Sequence, residues 1–218
     1  LGHLEAILAA LESGSGGDDP FLTMLVSMLG KYRERFESHF TESLNTDRSV
    51  RAALFFAALV HDVEKPATKT VDESGRIRFF DHDVQGAKVA SMRGHKFNLS
   101  NDEIGRIKKI IFSHMRFHFF TMQLEDKKRE PTRKSIYRFF RDAGESGVDL
   151  ILLGLADLRG TRDHTLTQEN WKAALDVSGI LLENYWEKRE ETVAPPRLLD
   201  GNDLIKELNL DAGRIIGQ

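Results

Sequence analysis

The sequence predicts an all-α protein, a helical bundle with one small β-hairpin. Three observations carry this. Apolar residues recur at steps of three and four, as at Ile104, Ile107, Ile110 and Ile111, which is the repeat of one buried helical face. Helix-start and helix-stop residues bracket most of these patterns. The chain offers only two short β-like runs, 68–71 and 76–80, joined through Glu73-Ser74-Gly75.

Taken in order, residues 3–12 read as a short helix, and the Gly/Ser-rich stretch from Ser13 to Pro20 as a flexible break. A helical pattern runs from Phe21 to Phe40, and a second, strongly apolar one from Val50 to Val60. Lys65-Pro66 is expected to stop that helix, because proline cannot continue the hydrogen-bond ladder. The hairpin comes next, then a helix from Asp83 to about Arg93. Ser100-Asn101-Asp102-Glu103 is a capping-box sequence opening a helix through Phe112, with His114 just past its end. Pro131-Thr132 opens a helix that ends at Gly144, Val148 to Leu158 forms a core helix, and Trp171 to Glu191 a longer amphipathic one. After Pro195-Pro196 comes a small helical piece with a glycine turn. The expected organisation is thus 1–20 as helix and linker, 21–194 as the main helical domain, and 195–218 as a truncated C-terminal segment.

The 218 residues are 40% hydrophobic and 30% charged, ordinary globular composition. The formal net charge of −3 excludes a generic nucleic-acid binder, yet the charge is unevenly spread. Between Arg106 and Arg141 eleven Lys and Arg face three acids, a net of +8 that leaves −11 on the remainder. With no cysteine there is no disulfide framework and no thiolate site, so any metal sits among nitrogen and oxygen ligands. No apolar stretch approaches the roughly 20 residues that cross a bilayer, and a cytoplasmic protein without membrane contact is the simplest reading. The first residue is not Met and the end stops within an apolar run, so the chain is expected to be part of a longer protein.

His61-Asp62 closes the apolar run 52–60. A desolvated carboxylate there requires a partner, and a metal ion is a natural one. His82, His114 and Asp157 stand beside or within other apolar segments. Alone, Asp157 reads as readily as a paired structural acid, and His114 as a hydrogen-bonded histidine. Together, on different elements, they match the way a helical bundle builds a metal site in its core.

These residues resemble the HD phosphohydrolase superfamily, whose helices carry H…HD…H…H…D ligands. The wording is most similar to the HD and C-terminal regions of bacterial tRNA nucleotidyltransferase/poly(A) polymerase-like proteins, over roughly residues 50–218. The stretches that carry the likeness are Leu59-Val60-His61-Asp62-Val63-Glu64-Lys65-Pro66-Ala67-Thr68, Gly75 to Asp83 with Gly86-Ala87, His114-Met115-Arg116, and Leu199 to Leu204 with Gly213 to Gly217. The resemblance implies an HD-domain bundle in which His61, Asp62 and Asp157 are primary ligands and His82 and His114 admit a second ion. It puts Lys65 near a substrate phosphate and makes His39 the candidate for the upstream histidine. It departs at Glu64 and Asp81, where the branch has glycine; two extra carboxylates there would bind another cation or repel an anionic phosphate.

The activity implied by the resemblance is phosphoester hydrolysis by one or two divalent ions, on a nucleotide or cyclic-nucleotide substrate. Imidazole and carboxylate donors suit Mn, Fe, Co, Ni or Zn better than Mg. Asp62 would orient water and Lys65 would stabilise developing negative charge. The family's nucleotide transfer resides in a separate N-terminal domain, whose motif these residues do not contain. The basic segment suggests contacts with RNA or tRNA through Arg116, Lys127, Lys128, Arg129, Arg133 and Lys134, with Phe112, Phe117, Phe119, Phe120, Tyr137, Phe139 and Phe140 interleaved. The alternative for these aromatics, and the preferred one, is that they face the core. The competing function is a non-catalytic RNA-binding or dimerisation module with a vestigial HD site.

Overall fold

The computed structural model describes residues 1–194 and Lys206. Among the described residues the chain is all-α with a single two-stranded antiparallel hairpin. The helices are α1 (Gly2–Ser13), α2 (Pro20–Leu29), α3 (Arg33–Thr41), α4 (Val50–Val60), α5 (His82–Lys96), α6 (Asn101–Lys127), α7 (Arg133–Ala143), α8 (Ser146–Arg162) and α9 (Gln168–Trp186). Strands β1 (Lys69–Val71) and β2 (Ile77–Phe79) pair with Thr70 opposite Arg78.

Capping chemistry sets several of these starts. The Asp19 carboxylate accepts from the backbone N–H groups of Phe21 and Leu22, with Pro20 in the first turn of α2. Ser100 and Glu103 form a reciprocal capping box at the head of α6. Thr132 and Thr167 cap α7 and α9 through their hydroxyls. α1 is part of the common core rather than a loose leader: Leu4, Ile7, Leu8 and Leu11 are buried, and the helix packs on α8 and α2.

The pattern read as one helical run from Phe21 to Phe40 is two helices, α2 and α3, separated by a 3-10 turn at Gly30–Tyr32; α9 ends at Trp186 and not Glu191, and α6 runs further than expected. α4 ends at Val60, and the chain passes through tight turns before Pro66 is reached. Proline disfavours the helical conformation of the residue before it, so the helix unwinds upstream into Val63 N–H to Val60 and Lys65 N–H to Asp62 turns. α6 does not stop near Phe112 but continues to Lys127. His114 therefore lies inside a helix and not beyond one. Ser113, His114, Arg116 and His118 look like a break in sequence, yet Ser113, His114, Phe117, Phe120 and Thr121 continue the buried face. The segment expected to fold over 195–218 lies outside the described residues.

α6 is the central element, packing against α4, α5, α7, α8 and α9. Its crossing with α8 is close because Gly154 has no side chain: a Cβ there would sit 2.2 Å from the Phe117 ring. That approach brings Asp157, one turn further along α8, beside the inward face of α6.

Candidate metal centre

Four elements bring the histidines and carboxylates together. His61 and Asp62 stand at the C-terminal end of α4, His82 opens α5, His114 projects from the middle of α6, and Asp157 from α8. Their donor atoms form two groups that share Asp62: Asp62 with His82 and His114, and Asp62 with His61 and Asp157.

The three histidines are oriented alike. His61 Nδ1 lies 3.0 Å from the Ala58 carbonyl oxygen, His82 Nδ1 2.8 Å from that of Phe79, and His114 Nδ1 2.6 Å from that of Ile111. A carbonyl oxygen only accepts, so each Nδ1 carries its proton and each Nε2 is the atom turned into the site. The Nε2 atoms of His82 and His114 then face one another at 3.2 Å, each 3.6 Å from Asp62 Oδ1. Two neutral imidazoles cannot satisfy each other in this tautomer. A positive charge between them resolves the conflict. A triangle with sides of 3.2, 3.6 and 3.6 Å has a circumradius of about 2.0 Å, which matches the roughly 2.0–2.2 Å of bonds from nitrogen and carboxylate ligands to zinc.

In the second group His61 Nε2 lies 3.3 Å from Asp62 Oδ2 and 3.5 Å from Asp157 Oδ1. His61 Nε2 and Asp62 Oδ1 are buried without a hydrogen-bond partner among the described residues. Orphaned donor atoms converging in this way, with an all nitrogen and oxygen set, fit one divalent cation in each group. The carboxylates draw a cation to the site, a proton on His61 or a metal ion that takes that proton's place. Burial alone would pull the His61 imidazole down, but Asp157 and Asp62 beside it push its pKa up to about 10. Burial likewise opposes ionisation of Asp62, yet His114, His61 and Lys65 hold it well below the ordinary carboxylate range. Asp157, also buried, is held low by His118 and His61. The carboxylates are thus ready as anions at neutral pH.

The other sequence candidates fall elsewhere. His39 is not in the cluster: its Nε2 lies 3.0 Å from Asp149 Oδ1 and 3.1 Å from a terminal nitrogen of Arg106, within a buried ion network between α3, α6 and α8. Spacing from the His-Asp pair suggested it, but α3 carries the ring to a different carboxylate. Lys65 is bound to Asp62, with Nζ 2.6 Å from Oδ2. Asp81 is exposed at the head of α5 with φ +59°, and neither it nor Glu64 belongs to a ligand group among the described residues.

Sequence reasoning missed His118. Its Nε2 lies 2.8 Å from Asp157 Oδ2. The signal was present, since His118 lies four residues beyond His114 and shares its helical face, but it was hidden by ending α6 too early.

Part of the basic segment is paired with acids. Arg106 is buried on Asp149, Arg116 and Arg141 pair with Asp142, Lys128 with Glu169, and Arg133 with Glu191. Lys127, Arg129 and Lys134 have no acid within 4 Å among the described residues. Phe117, Phe120, Phe139 and Phe140 are core residues, whereas Phe112, Phe119 and Tyr137 are exposed. A groove of about 450 Å³ between α6 and α7 is floored by Met115, Phe119 and Phe139 and edged by Lys134 and Arg138; no cluster residue lines it.

Known proteins resemble this chain over most of its length. The chain is 29% identical over 163 residues to a CC-adding tRNA nucleotidyltransferase of Thermus thermophilus, covering 74% of this chain and 33% of that protein. It is 28% identical over 169 residues to an A-adding tRNA nucleotidyltransferase of Deinococcus radiodurans, covering 76% and 35%. The chain is a distant relative of both. It spans about a third of the length of the curated relatives it matches. No family model matches the chain. Among the described residues no helix is long and apolar enough to cross a membrane.

Proposed function

We propose that this chain is a metal-dependent phosphohydrolase domain of the HD type, acting on nucleotide or cyclic-nucleotide phosphoesters within a longer tRNA nucleotidyltransferase-like protein. The observation that carries the reading is the pair of Nε2 atoms of His82 and His114, fixed toward each other and toward the unpartnered Oδ1 of Asp62. In this reading Asp62 would be shared by two divalent ions, one held also by His82 and His114 and the other by His61 and Asp157. The nitrogen-rich donor set suits Mn, Fe, Co, Ni or Zn.

Bound divalent ions supply Lewis acidity toward phosphoryl oxygens and acidify coordinated water. The protein does the rest. The three backbone carbonyls fix the histidine rings before substrate arrives, so little reorganisation accompanies the reaction. Lys65, on the partly exposed side of Asp62, adds a positive charge that attracts an anionic phosphate. The chain's similarity to tRNA nucleotidyltransferases makes RNA the natural macromolecular partner of the parent protein.

The test pairs elemental analysis with a phosphoester panel of p-nitrophenyl phosphate, bis-p-nitrophenyl phosphate, nucleoside monophosphates and 2′,3′-cyclic nucleotides. Loss of both the ion and turnover in Asp62→Ala supports the reading. Turnover that survives this substitution unchanged sinks it, and firm ion binding without turnover on any ester favours the non-catalytic RNA-binding module.

A further inference from the structure

We infer that His118 is a positioning residue that holds Asp157 as a metal ligand, a role that rests on the two-ion reading above. Asp157 divides its two oxygens: Oδ1 faces His61 Nε2 at 3.5 Å, and Oδ2 faces His118 Nε2 at 2.8 Å. Both side chains of the His118–Asp157 pair are mostly sheltered, at 16% and 17% exposure. This is no loose surface contact. His118 lies outside both ligand groups, so it acts through Asp157 and not on the ion itself.

A carboxylate can rotate about its terminal bond and exchange its oxygens. A ligand free to do so pays an ordering cost each time an ion binds. His118 restricts that freedom through its 2.8 Å contact with Oδ2, which leaves Oδ1 directed toward His61. Asp62 is also held by a charged neighbour, with Lys65 Nζ 2.6 Å from its Oδ2. Asp157 has no lysine or arginine within 4 Å among the described residues, and His118 takes that place. The helical spacing makes the assignment economical, because α6 delivers a ligand at His114 and an outer partner one turn later at His118.

Calorimetric Mn2+ titration of wild type, His118→Ala and His118→Gln tests this. Outer partners of metal ligands typically carry 10–100-fold in affinity. His118→Ala is therefore expected to weaken one of two Mn2+ sites by about 10–100-fold, and His118→Gln, whose amide N–H can still donate, to recover most of it. A merely structural role would lower the melting temperature of the metal-free protein while leaving Mn2+ affinity, measured well below the melt, where it was. Equal Mn2+ affinity in wild type and His118→Ala overturns the inference alone. A wild type that takes up no divalent ion overturns both it and the function proposed above. If His118→Ala lacks a cooperative melt, His118→Asn, whose shorter amide falls short of Asp157, replaces it with the same loss expected.

Discussion

His82 Nε2 and His114 Nε2 oppose each other at 3.2 Å because each ring's Nδ1 is committed to a carbonyl three residues earlier in its own chain segment. Without a cation the folded state carries an unresolved contact in a buried site, so ion binding should stabilise the fold. A ligand at 100 times its Kd adds about 2.7 kcal/mol, or roughly 5–10 °C for a chain of this size. Melting curves with Mn2+ and with a chelator measure the shift. His114→Ala should reduce it by removing one of the two groups, and an unchanged shift would remove the basis for the His82–His114–Asp62 site.

His39 provides the contrast. It belongs to the buried Asp149–Arg106 network, so His39→Ala should lower stability by about 1–3 kcal/mol through an unsatisfied buried group while leaving divalent-ion content at the wild-type value. Denaturant unfolding and elemental analysis on the same preparation read both. An ion lost from an otherwise stable His39→Ala protein would restore His39 to the metal centre.

The helices were largely legible from the sequence, because periodic apolar residues and end signals such as Ser100 with Glu103 and Thr132 with Gly144 act locally. So were the cluster's five principal members, since a charged or imidazole group next to an apolar run demands a partner. What could not be read was pairing across the fold. His39 and His118 are both histidines on amphipathic helices, and only the tertiary packing gives one to Asp149 and the other to Asp157. The length of α6 was lost because its buried face at 113–121 is partly polar, carrying Ser113, His114 and Thr121 where a sequence pattern expects apolar residues.

Asp81 adopts a left-handed backbone, φ +59°, without making a side-chain cap hydrogen bond. A left-handed non-glycine residue costs about 1–2 kcal/mol, against which glycine carries about 0.5–1 kcal/mol of added chain entropy. Asp81→Gly is accordingly expected to stabilise the protein by about 0.5 kcal/mol and to leave ion binding intact. Chemical denaturation decides the sign. Destabilisation would mean that the Asp81 carboxylate contributes at the head of α5 in a way that the backbone geometry does not reveal.

Gly154 sets the distance between α8 and α6. Its replacement by alanine would drive a methyl group to within 2.2 Å of the Phe117 ring, and Phe117 is fully buried and cannot swing aside. Overpacking of this kind costs about 1–3 kcal/mol. Because Asp157 lies one turn beyond Gly154, the same substitution should also weaken ion binding in the His61–Asp62–Asp157 group. Gly154→Ala with wild-type stability and wild-type Mn2+ affinity would show that the two helices have room to part.

Glu103 links the start of α6 to acid stability. Arg48 pairs with its carboxylate and outweighs the opposing effect of burial; with Ser100 assisting, this lowers its pKa from 4.5 to about 2. A depressed folded-state pKa means that the unfolded chain binds more protons between these two values, so stability rises with pH across that window. The contribution is fully present above about pH 4.5 and is lost as pH falls toward 2. Glu103→Gln keeps a side chain able to accept from the Ser100 N–H but removes the titrating charge. Its stability should therefore depend less steeply on pH between about 4.5 and 2 than that of wild type, while above that range the variant is the less stable of the two. Parallel slopes in urea unfolding across this window would show that the Arg48 pair carries no net proton linkage.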